Sequence, residues 1–282
     1  MNSLTLFFPQ WQGSGRTPEL YEGAQYIKDI LLKEHPITGV DVPTDEELDV
    51  EHHILGYTQI LNQLKQSVAL LNEKKPNKIF SIGGDCGIEL SPISYLNKVY
   101  AGDLAVLWFD AHGDLNSPSS SPSKHFHGMP LRTLLGDGEP QLIAQCFSCL
   151  TVPQVILAGV RELDLPEEHF IKESGLQVIT VDQLRESRRE IIQQIQAKDY
   201  RHIYIHLDLD VLDPEEFAET KCPVTNGIRF SELLQLLNEL HDTFQVVGYS
   251  LVEYAPKNPQ NLRILKQLVD YGLKLSNDYT EK

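Results

Sequence analysis

Residues 104–114 read LAVLWFDAHGD, and in this stretch an unbroken apolar run ends abruptly in polar residues. The run from Leu104 to Phe109 is typical of a strand that is buried on both faces. In an extended chain the side chains at i, i+2 and i+4 share one face, so Asp110, His112 and Asp114 are expected to converge just beyond the strand. Two carboxylates and an imidazole suit a divalent metal of the Mn, Fe or Zn type. A plain polar loop after a strand would show the same short pattern.

A second apolar run, IYIHLDLDVL at residues 203–212, contains two acidic residues. Asp208 and Asp210 would be costly to bury unless a cation neutralised them. Together with the first stretch they supply four carboxylates and one imidazole, which is more than one ion of this kind usually takes. The sequence therefore predicts two metal ions, roughly 3.5–4 Å apart, that share carboxylates and hold a nucleophilic hydroxide.

The order of predicted elements indicates an α/β fold. Several strands are continuous apolar runs that alternate with helices, which predicts three layers, αβα, with a mostly parallel central sheet. Strands are predicted at residues 4–8, 78–82, 104–109, 155–160, 178–181, 203–212 and 244–252, and helices at 19–34, 54–71, 88–99, 182–196, 233–240 and 261–275, with another beginning at 131–135. Ser231 is a candidate N-cap. The absence of repeats or linkers predicts a single domain over residues 1–282.

The composition is that of a globular protein with an excess of acidic residues. The chain has 282 residues, 41% of them hydrophobic, and a net charge of −16 at pH 7. This charge argues against partners such as nucleic acid or anionic membrane. The apolar run Leu4 to Phe8 is too short for a signal peptide, and no window reaches the length of a membrane span. Four cysteines are too few for a disulfide framework. We expect a cytoplasmic protein.

Four segments, in this order, resemble the signature segments of the arginase/agmatinase (ureohydrolase) family. They are SIGGDC at residues 81–86, DAHGD at 110–114, HLDLDVLDP at 206–214 and LVEYAP at 251–256. The resemblance covers about Lys78 to Pro256. It implies an arginase-like fold and a binuclear-metal hydrolase, with two Mn²⁺ as cofactor, that cleaves the guanidinium group of L-arginine to urea and L-ornithine.

The same resemblance implies a division of metal ligands between two positions. Asp110 and Asp208 would bridge the ions, as suits a side chain with two oxygens. Asp114 would belong to the first metal, and His112 and Asp210 to the second.

Cys86 departs from the family pattern, because the family normally has histidine after Gly-Gly-Asp. As a thiolate, Cys86 would still bind the first metal but would favour softer ions such as Zn or Fe. As a neutral thiol it would bind the first metal weakly or leave the position to another metal. Alternatively, Cys86 is a small buried residue without a metal role. Asp85 is expected to orient the loop.

Catalytic roles also follow from the resemblance. His127 would relay a proton to the leaving amine, a general-acid role that suits imidazole, and His125 is an alternative for it. Asp114 would hold the nucleophile, and Glu253 would pair with the substrate's guanidinium.

An α-amino acid head group is expected at the far end of the site. The resemblance implies that Asn116 and Ser123, with Ser121 nearby, bind the α-carboxylate. It implies that Asp164 and Glu168, which follow Gly-Val-Arg at residues 159–161, bind the α-amino group. Cys222 stands where the family often has threonine beside the guanidinium.

Several alternatives stay open. Nω-hydroxy-L-arginine would give hydroxyurea and ornithine, and its less basic guanidine would suit a weaker first metal. Agmatine and formiminoglutamate are further family substrates, and a catalytically inactive metal-binding homologue belongs to a different class. A two-metal phosphatase lacks the expected Arg or Lys cluster. The expected partner is a small cationic guanidino amino acid, and family members often form homo-oligomers.

Overall fold

The computed structural model describes residues 2–256 and 261–277, which contain an eight-stranded sheet. In chain order the strands are β1 (Ser3–Phe8), β2 (Thr38–Gly39), β3 (Val50–Glu51), β4 (Ile54–Leu55), β5 (Lys78–Gly83), β6 (Leu104–Phe109), β7 (Val155–Ala158), β8 (Gln177–Ile179), β9 (His202–Asp208) and β10 (Gln245–Val252). The sheet runs β2-β1-β5-β10-β9-β6-β7-β8 with every neighbouring pair parallel, and β3 and β4 form a separate antiparallel pair. The predicted α/β class with a mostly parallel sheet is confirmed.

Helices cover both faces of this sheet. They are α1 (Glu19–Leu31), α2 (Tyr57–Lys74), α3 (Leu90–Val99), α4 (Pro130–Leu134), α5 (Pro140–Gln145), α6 (Leu165–Ser174), α7 (Val181–Glu186), α8 (Arg188–Gln196), α9 (Phe230–Thr243) and α10 (Leu262–Asn277). Strand β6 shows the layering, since Val106 and Trp108 pack into the core beneath α2 and α3, whereas Leu107 and Phe109 pack into the core beneath α8, α9 and α10. In the described ranges no helix is long and apolar enough to cross a membrane.

Two of the predicted helices have bounds that a local feature of the chain changes. The helix expected over residues 54–71 begins at Tyr57, because Ile54–Leu55 form β4 and Gly56 turns the chain with a φ of 68°. The helix expected over 182–196 is divided into α7 and α8 at Ser187, whose side chain accepts a hydrogen bond from the backbone of Glu190. The cap at Ser187 therefore divides a segment that hydrophobic periodicity alone predicted to be one helix.

Two further boundaries are corrected. Ser231 lies inside α9 rather than capping it, since the N-cap is Arg229, whose backbone N–H donates to Glu232 at 3.1 Å. The strand expected over 203–212 ends at Asp208 and passes into a 3₁₀ turn at Leu209–Val211. This turn begins where the acidic residues appear, so the strand ends at the polar edge of the sheet.

A glycine at this edge lies where three loops meet. The backbone of Gly84 lies so close to Gln10 that an added Cβ would be 1.7 Å from the Gln10 carbonyl oxygen. The Gly84 carbonyl oxygen accepts from the backbone N–H of Glu253 at 2.8 Å, and the Asp85 N–H donates to Gln10 at 2.8 Å. Only a residue without a side chain fits here, and the loops after β1, β5 and β10 are joined through it.

Candidate active site

Acidic, histidine and cysteine side chains converge where the carboxyl ends of β5, β6, β9 and β10 meet. They form three groups, and within each group one potential ligand atom per residue lies within 4.8 Å of all the others. The first cluster is Cys86, Asp110, Asp114 and His206, the second is Asp110, His112 and Asp210, and the third is Cys86, Asp208 and Glu253. All six residues predicted as metal ligands are brought together. Asp110 and Cys86 each belong to two clusters, whereas Asp208, which was also expected to bridge, belongs to the third alone.

The loop after β6 folds back on itself instead of staying extended. The backbone N–H of His112 donates to Asp110 Oδ1 at 2.7 Å, and Trp108 Nε1 donates to Asp110 Oδ2 at 3.2 Å. Asp114 has a φ of 52°, in the left-handed region that non-glycine residues seldom occupy. This turn separates the three polar side chains, so that Asp114 lies with the first cluster and His112 with the second.

The loop after β9 completes the second cluster. The Nδ1 atom of His112 lies 3.0 Å from Asp210 Oδ2, and Asp210 Oδ1 accepts from the backbone N–H of Ala111 at 3.0 Å. Asp208 Oδ1 accepts from the backbone N–H of Asp210 at 2.7 Å. Arg161 fixes this loop by donating from Nη2 to the carbonyl oxygen of Asp210 at 2.7 Å. Backbone hydrogen bonds thus hold each carboxylate in place.

The buried carboxylates fit divalent cations. Asp114 is only 4% exposed, and its Oδ2 atom is buried without a hydrogen-bond partner among residues 2–256 and 261–277. Burial, followed by repulsion from neighbouring carboxylates, raises the pKa of Asp114 and Asp208 well above their usual range and raises the pKa of Asp210 to about 6. Carboxylates in such positions stay ionised together only beside positive charge, which two divalent ions would supply.

Glu253, a member of the third cluster, also contacts a histidine. It directly follows β10 with a φ of 63°, accepts from the backbone N–H of Cys86 at 3.2 Å, and its Oε1 lies 3.3 Å from His127 Nδ1. Burial lowers the pKa of His127, but the charge and hydrogen bond of Glu253 outweigh it and the net pKa is raised. Asp85 accepts from Gly87 and from Gly13 in the loop after β1, each at 2.9 Å. The predicted orienting contact of Asp85 is therefore present.

A cavity of about 150 Å³ opens above these clusters. Its outer part is polar: Asn116 Nδ2 donates to Asp164 Oδ2 at 2.8 Å, and Ser121 and Ser123 lie 3.4 Å apart through their hydroxyl oxygens. Cys222 lines the same cavity on the opposite loop. Of the residues expected at an amino-acid head group, all but Glu168 therefore line this cavity.

Glu168 is the exception, and here the structure corrects the expectation. Its side chain is exposed on α6, whereas Glu167 is buried and lines the cavity. Glu167 accepts from the backbone N–H of Leu115 and of Asp164, each at 2.9 Å. Because Asp164 is the N-cap of α6, the third helical residue turns back towards it and the fourth turns away.

Comparisons with known proteins agree with this geometry. A family model described as the arginase family matches residues 14–267. An arginase of Staphylococcus aureus is 34% identical over 221 residues, covering 77% of this chain and 72% of that protein. A solved arginase of Bacillus caldovelox has a TM-score of 0.82 at 25% identity and covers 100% of this chain and 99% of its own. The arginase of Entamoeba histolytica, solved in complex with L-ornithine, has a TM-score of 0.85 at 24% identity, covering 96% and 98%.

The chain belongs to the arginase family. It is accordingly a hydrolase of carbon–nitrogen bonds in linear amidines, as the resemblance implied.

Cys86 departs from the arginase-family pattern at a buried position of the site. Its residue is 2% exposed, and its Sγ lies 3.3 Å from Asp208 Oδ2. Burial, followed by the charges of Asp114 and Asp208, raises the pKa of this thiol well above its ordinary value. The sulfur therefore faces the carboxylates directly, where a cation would favour its thiolate form.

Two further residues belong to this arginase-family site and were missed by the sequence analysis. His206 is wholly buried in the first cluster, and Glu89 lies behind it with Oε1 2.9 Å from His206 Nδ1. A signal for His206 was present, since it precedes Asp208 by two positions on one strand and so shares its face. Glu89 carried no comparable signal, because it lies in a 3₁₀ turn after β5.

Proposed function

We propose that the protein hydrolyses the guanidinium group of L-arginine to urea and L-ornithine at two divalent metal ions, with Mn²⁺ as the metal. The observation that carries the proposal is the position of Asp110 in two ligand clusters directly below a cavity with a polar outer end. Family membership supports it, as do the relatives named arginase and the solved relative in complex with L-ornithine.

The chain's own residues would hold the metal ions in two positions. Cys86, Asp110, Asp114 and Asp208 would hold the first, and Asp110, His112, Asp208 and Asp210 the second. When bound, the ions would act as Lewis acids and lower the pKa of the attacking water. The oxygen-rich donor set is compatible with Mn²⁺.

Substrate would bind with its guanidinium towards Glu253 and its α-amino acid group towards the cavity's outer end. Glu253 is 2% exposed, and a carboxylate so enclosed favours a cationic group close by. Asn116 and Ser123 would bind the α-carboxylate and Asp164 the α-amino group. The Asn116–Asp164 hydrogen bond of 2.8 Å would hold these two side chains in fixed positions for the α-carboxylate and the α-amino group.

Hydrolysis adds one water, whose oxygen stays with urea and whose loss of two protons is balanced by the two protons that the leaving nitrogen gains. Water attacks the guanidinium carbon, the bond from that carbon to the chain nitrogen breaks, and the nitrogen leaves as the ornithine ammonium group, with one of its two new protons delivered by His127. Asp114 Oδ2, buried and without a partner among the described residues, would accept a hydrogen bond from the attacking water. His127 is 21% exposed at its side chain, so it can regain its proton from solvent.

Nω-hydroxy-L-arginine is the second candidate substrate, and Cys86 is the observation that favours it. A sulfur ligand at the first position would alter the activation of the nucleophile, and the less basic hydroxyguanidine is easier to attack than guanidinium. The head-group contacts would be unchanged, because the two substrates differ only at the guanidine end.

A substrate panel tests both candidates. The Mn²⁺-loaded protein would be given L-arginine, Nω-hydroxy-L-arginine, agmatine and formiminoglutamate, with urea, hydroxyurea and ornithine quantified separately. The proposal expects the largest kcat/KM with L-arginine. A larger value with Nω-hydroxy-L-arginine would select the second candidate, and no turnover of any compound by protein holding two metal ions would reject both.

A further inference from the structure

His206 is a buried imidazole among metal-binding side chains. Its Nε2 lies 3.7 Å from Asp110 Oδ2 and 3.8 Å from Cys86 Sγ, and its side chain is fully buried. It shares the face of β9 with Asp208, which lies two residues later and contacts Cys86 Sγ at 3.3 Å. The ring therefore faces the first cluster from the centre of the sheet.

Glu89 and Trp108 fix the orientation of this ring. Glu89 Oε1 lies 2.9 Å from His206 Nδ1, and Glu89 Oε2 accepts from the hydroxyl group of Tyr204 at 2.7 Å. The ring stacks on Trp108 with centroids 3.6 Å apart and planes inclined by 19°. A carboxylate that accepts from Nδ1–H fixes the tautomer in which Nε2 carries the free lone pair. That atom points at Asp110 and Cys86.

The distances fit donors that share one ion. Bonds of roughly 2.0–2.3 Å to a tetrahedral or octahedral ion place adjacent donor atoms about 3–4 Å apart. The Nε2 distances to Asp110 and Cys86 fall in this range, and Asp114 completes the group within 4.8 Å. One carboxylate behind a histidine that faces a cation is the arrangement found at many protein metal sites.

We propose that His206 Nε2 is a ligand of the first metal ion, and that Glu89 is the residue that positions it. The nitrogen donor absent at Cys86 is then supplied from β9, two strands away from β5 in the sheet, which gives the first position a sulfur, a nitrogen and the oxygens of Asp110, Asp114 and Asp208. This inference rests on the proposed function only in requiring that a metal ion binds the first cluster. The mixed donor set shifts the preference of that position towards Zn²⁺, Co²⁺ or Fe²⁺ relative to an all-oxygen set.

Metal titration without substrate tests the proposal. Co²⁺ would be added to metal-stripped protein, with binding followed by visible absorption and by the metal content of each chain. Three variants are compared with the wild type: His206→Gln, Glu89→Gln and, as a matched control, His202→Gln at the other end of β9. His202 contacts Asp103 and stacks on Tyr100, away from the clusters. Thermal unfolding of the metal-stripped proteins checks that each variant is folded.

The proposal expects His206→Gln to bind one Co²⁺ at least about 100-fold more weakly than wild type, with a changed absorption spectrum. Glu89→Gln should weaken the same ion by roughly 10–100-fold, as is typical when the partner of a ligating histidine is changed. His202→Gln should match wild type. Equal Co²⁺ affinity and equal spectra in wild type, His206→Gln and Glu89→Gln would overturn the proposal.

A measurement on the wild type keeps the proposal testable even if His206→Gln does not fold. NMR of the Co²⁺-loaded protein should show a strongly shifted, slowly exchanging imidazole N–H proton, because His206 Nδ1–H is buried against Glu89. Absence of such a proton in protein with a filled first position would overturn the proposal. Failure to hydrolyse arginine would leave these binding results unchanged, so the two proposals fail independently.

Discussion

The Nδ1 atom of His127 lies 3.3 Å from Oε1 of Glu253, although 126 positions separate the two residues in the chain. His127 lies in the 3₁₀ turn Phe126–Gly128 and Glu253 directly follows β10. Both residues line the cavity, and their contact places an ionisable imidazole beside the carboxylate that we propose for the guanidinium. The two groups can therefore bind the substrate and exchange a proton at one position.

Replacing His127 should affect catalysis more than binding. The change His127→Asn removes the proposed proton donor to the leaving amine, so we expect kcat for L-arginine to fall by about 10²–10⁴-fold. The metal content should stay at the wild-type value, because His127 is not in the clusters. Exposed His169 on α6 provides the control, His169→Asn. Unchanged kcat in His127→Asn would show that another group delivers the proton.

The pH dependence of kcat follows from the charge of His127. Glu253 raises the pKa of His127 despite the opposing effect of burial, so it lies above the ordinary value of about 6.5. A general acid works in its protonated form, which is present below this pKa and lost as pH rises through it. We expect an alkaline limb in the kcat profile of the wild type that is missing from the residual activity of His127→Asn. The same limb in both proteins would contradict this assignment.

Binding of the substrate's α-amino acid group should depend on Asn116 and Ser123. Losing one hydrogen bond to a charged group costs about 1.5–3 kcal/mol, so each change to alanine should raise KM for L-arginine by roughly 10–100-fold. Agmatine lacks the α-carboxylate, so its kinetic constants should be unaffected by Ser123→Ala and should change far less than those of L-arginine in Asn116→Ala, which also removes the hydrogen bond to Asp164. Ser119→Ala, at an exposed position of the same loop, serves as control. An equal effect of Asn116→Ala on arginine and agmatine would refute the head-group role.

Metal affinity should rise with pH. Protons and metal ions compete for the same atoms, and the pKa of Asp210 is raised to about 6 by burial and by the nearby Asp110. Affinity for Mn²⁺ at the second position should therefore fall as pH decreases through 6 and increase above it. The pKa of His112 is also raised, because Asp110 and Asp210 outweigh burial, so the increase should continue beyond neutral pH. Calorimetric titration with Mn²⁺ between pH 5 and 8 measures this, and a flat profile would count against these ligands.

The substitution Gly84→Ala should destabilise the protein and displace the site together. The added Cβ would lie 1.7 Å from the Gln10 carbonyl oxygen, and neither atom can move away unless the backbone shifts. We expect a loss of about 3 kcal/mol or more in the free energy of unfolding. In Gly39→Ala the new Cβ would be 3.8 Å from Phe7, an ordinary contact. Chemical denaturation of both variants measures the difference, and equal stability would contradict the close packing of Gly84.

Strand-end motifs made much of this fold and site predictable. A parallel sheet brings the residues that follow its strands to one edge, so Asp110 after β6, Asp208 at the end of β9 and Glu253 after β10 were expected near each other. The path of the chain within the loop after β6 was not predictable from residue spacing. Spacing alone placed Asp110, His112 and Asp114 on one face of an extended segment, yet the left-handed φ of Asp114 sends His112 and Asp114 to two clusters, a division that only the family resemblance implied.

The positions of the residues that were missed depend mainly on packing, although His206 could have been found from the strand face that it shares with Asp208. His206 lies within an apolar strand, and its closeness to Cys86 comes from the pairing of β9 with β10 and of β10 with β5. Glu89 and Glu167 are acidic residues at helical turns, where most acids are solvated. Which of two neighbouring acids, Glu167 or Glu168, faces the cavity depends on the exact start of α6, and sequence patterns define helix ends poorly.

One titration tests the central claim, that arginine is hydrolysed at two metal ions held by these carboxylates. Mn²⁺ would be added stepwise to metal-stripped wild type, Asp110→Ala, Asp208→Ala and the exposed control Asp182→Ala. Bound metal and ornithine release from L-arginine would be measured at each step. We predict two ions per chain in wild type and Asp182→Ala, with ornithine release rising as the second ion binds, and loss of both metal and activity in the other variants. Full metal content in Asp110→Ala and Asp208→Ala, or arginine hydrolysis by protein without metal, would contradict the claim.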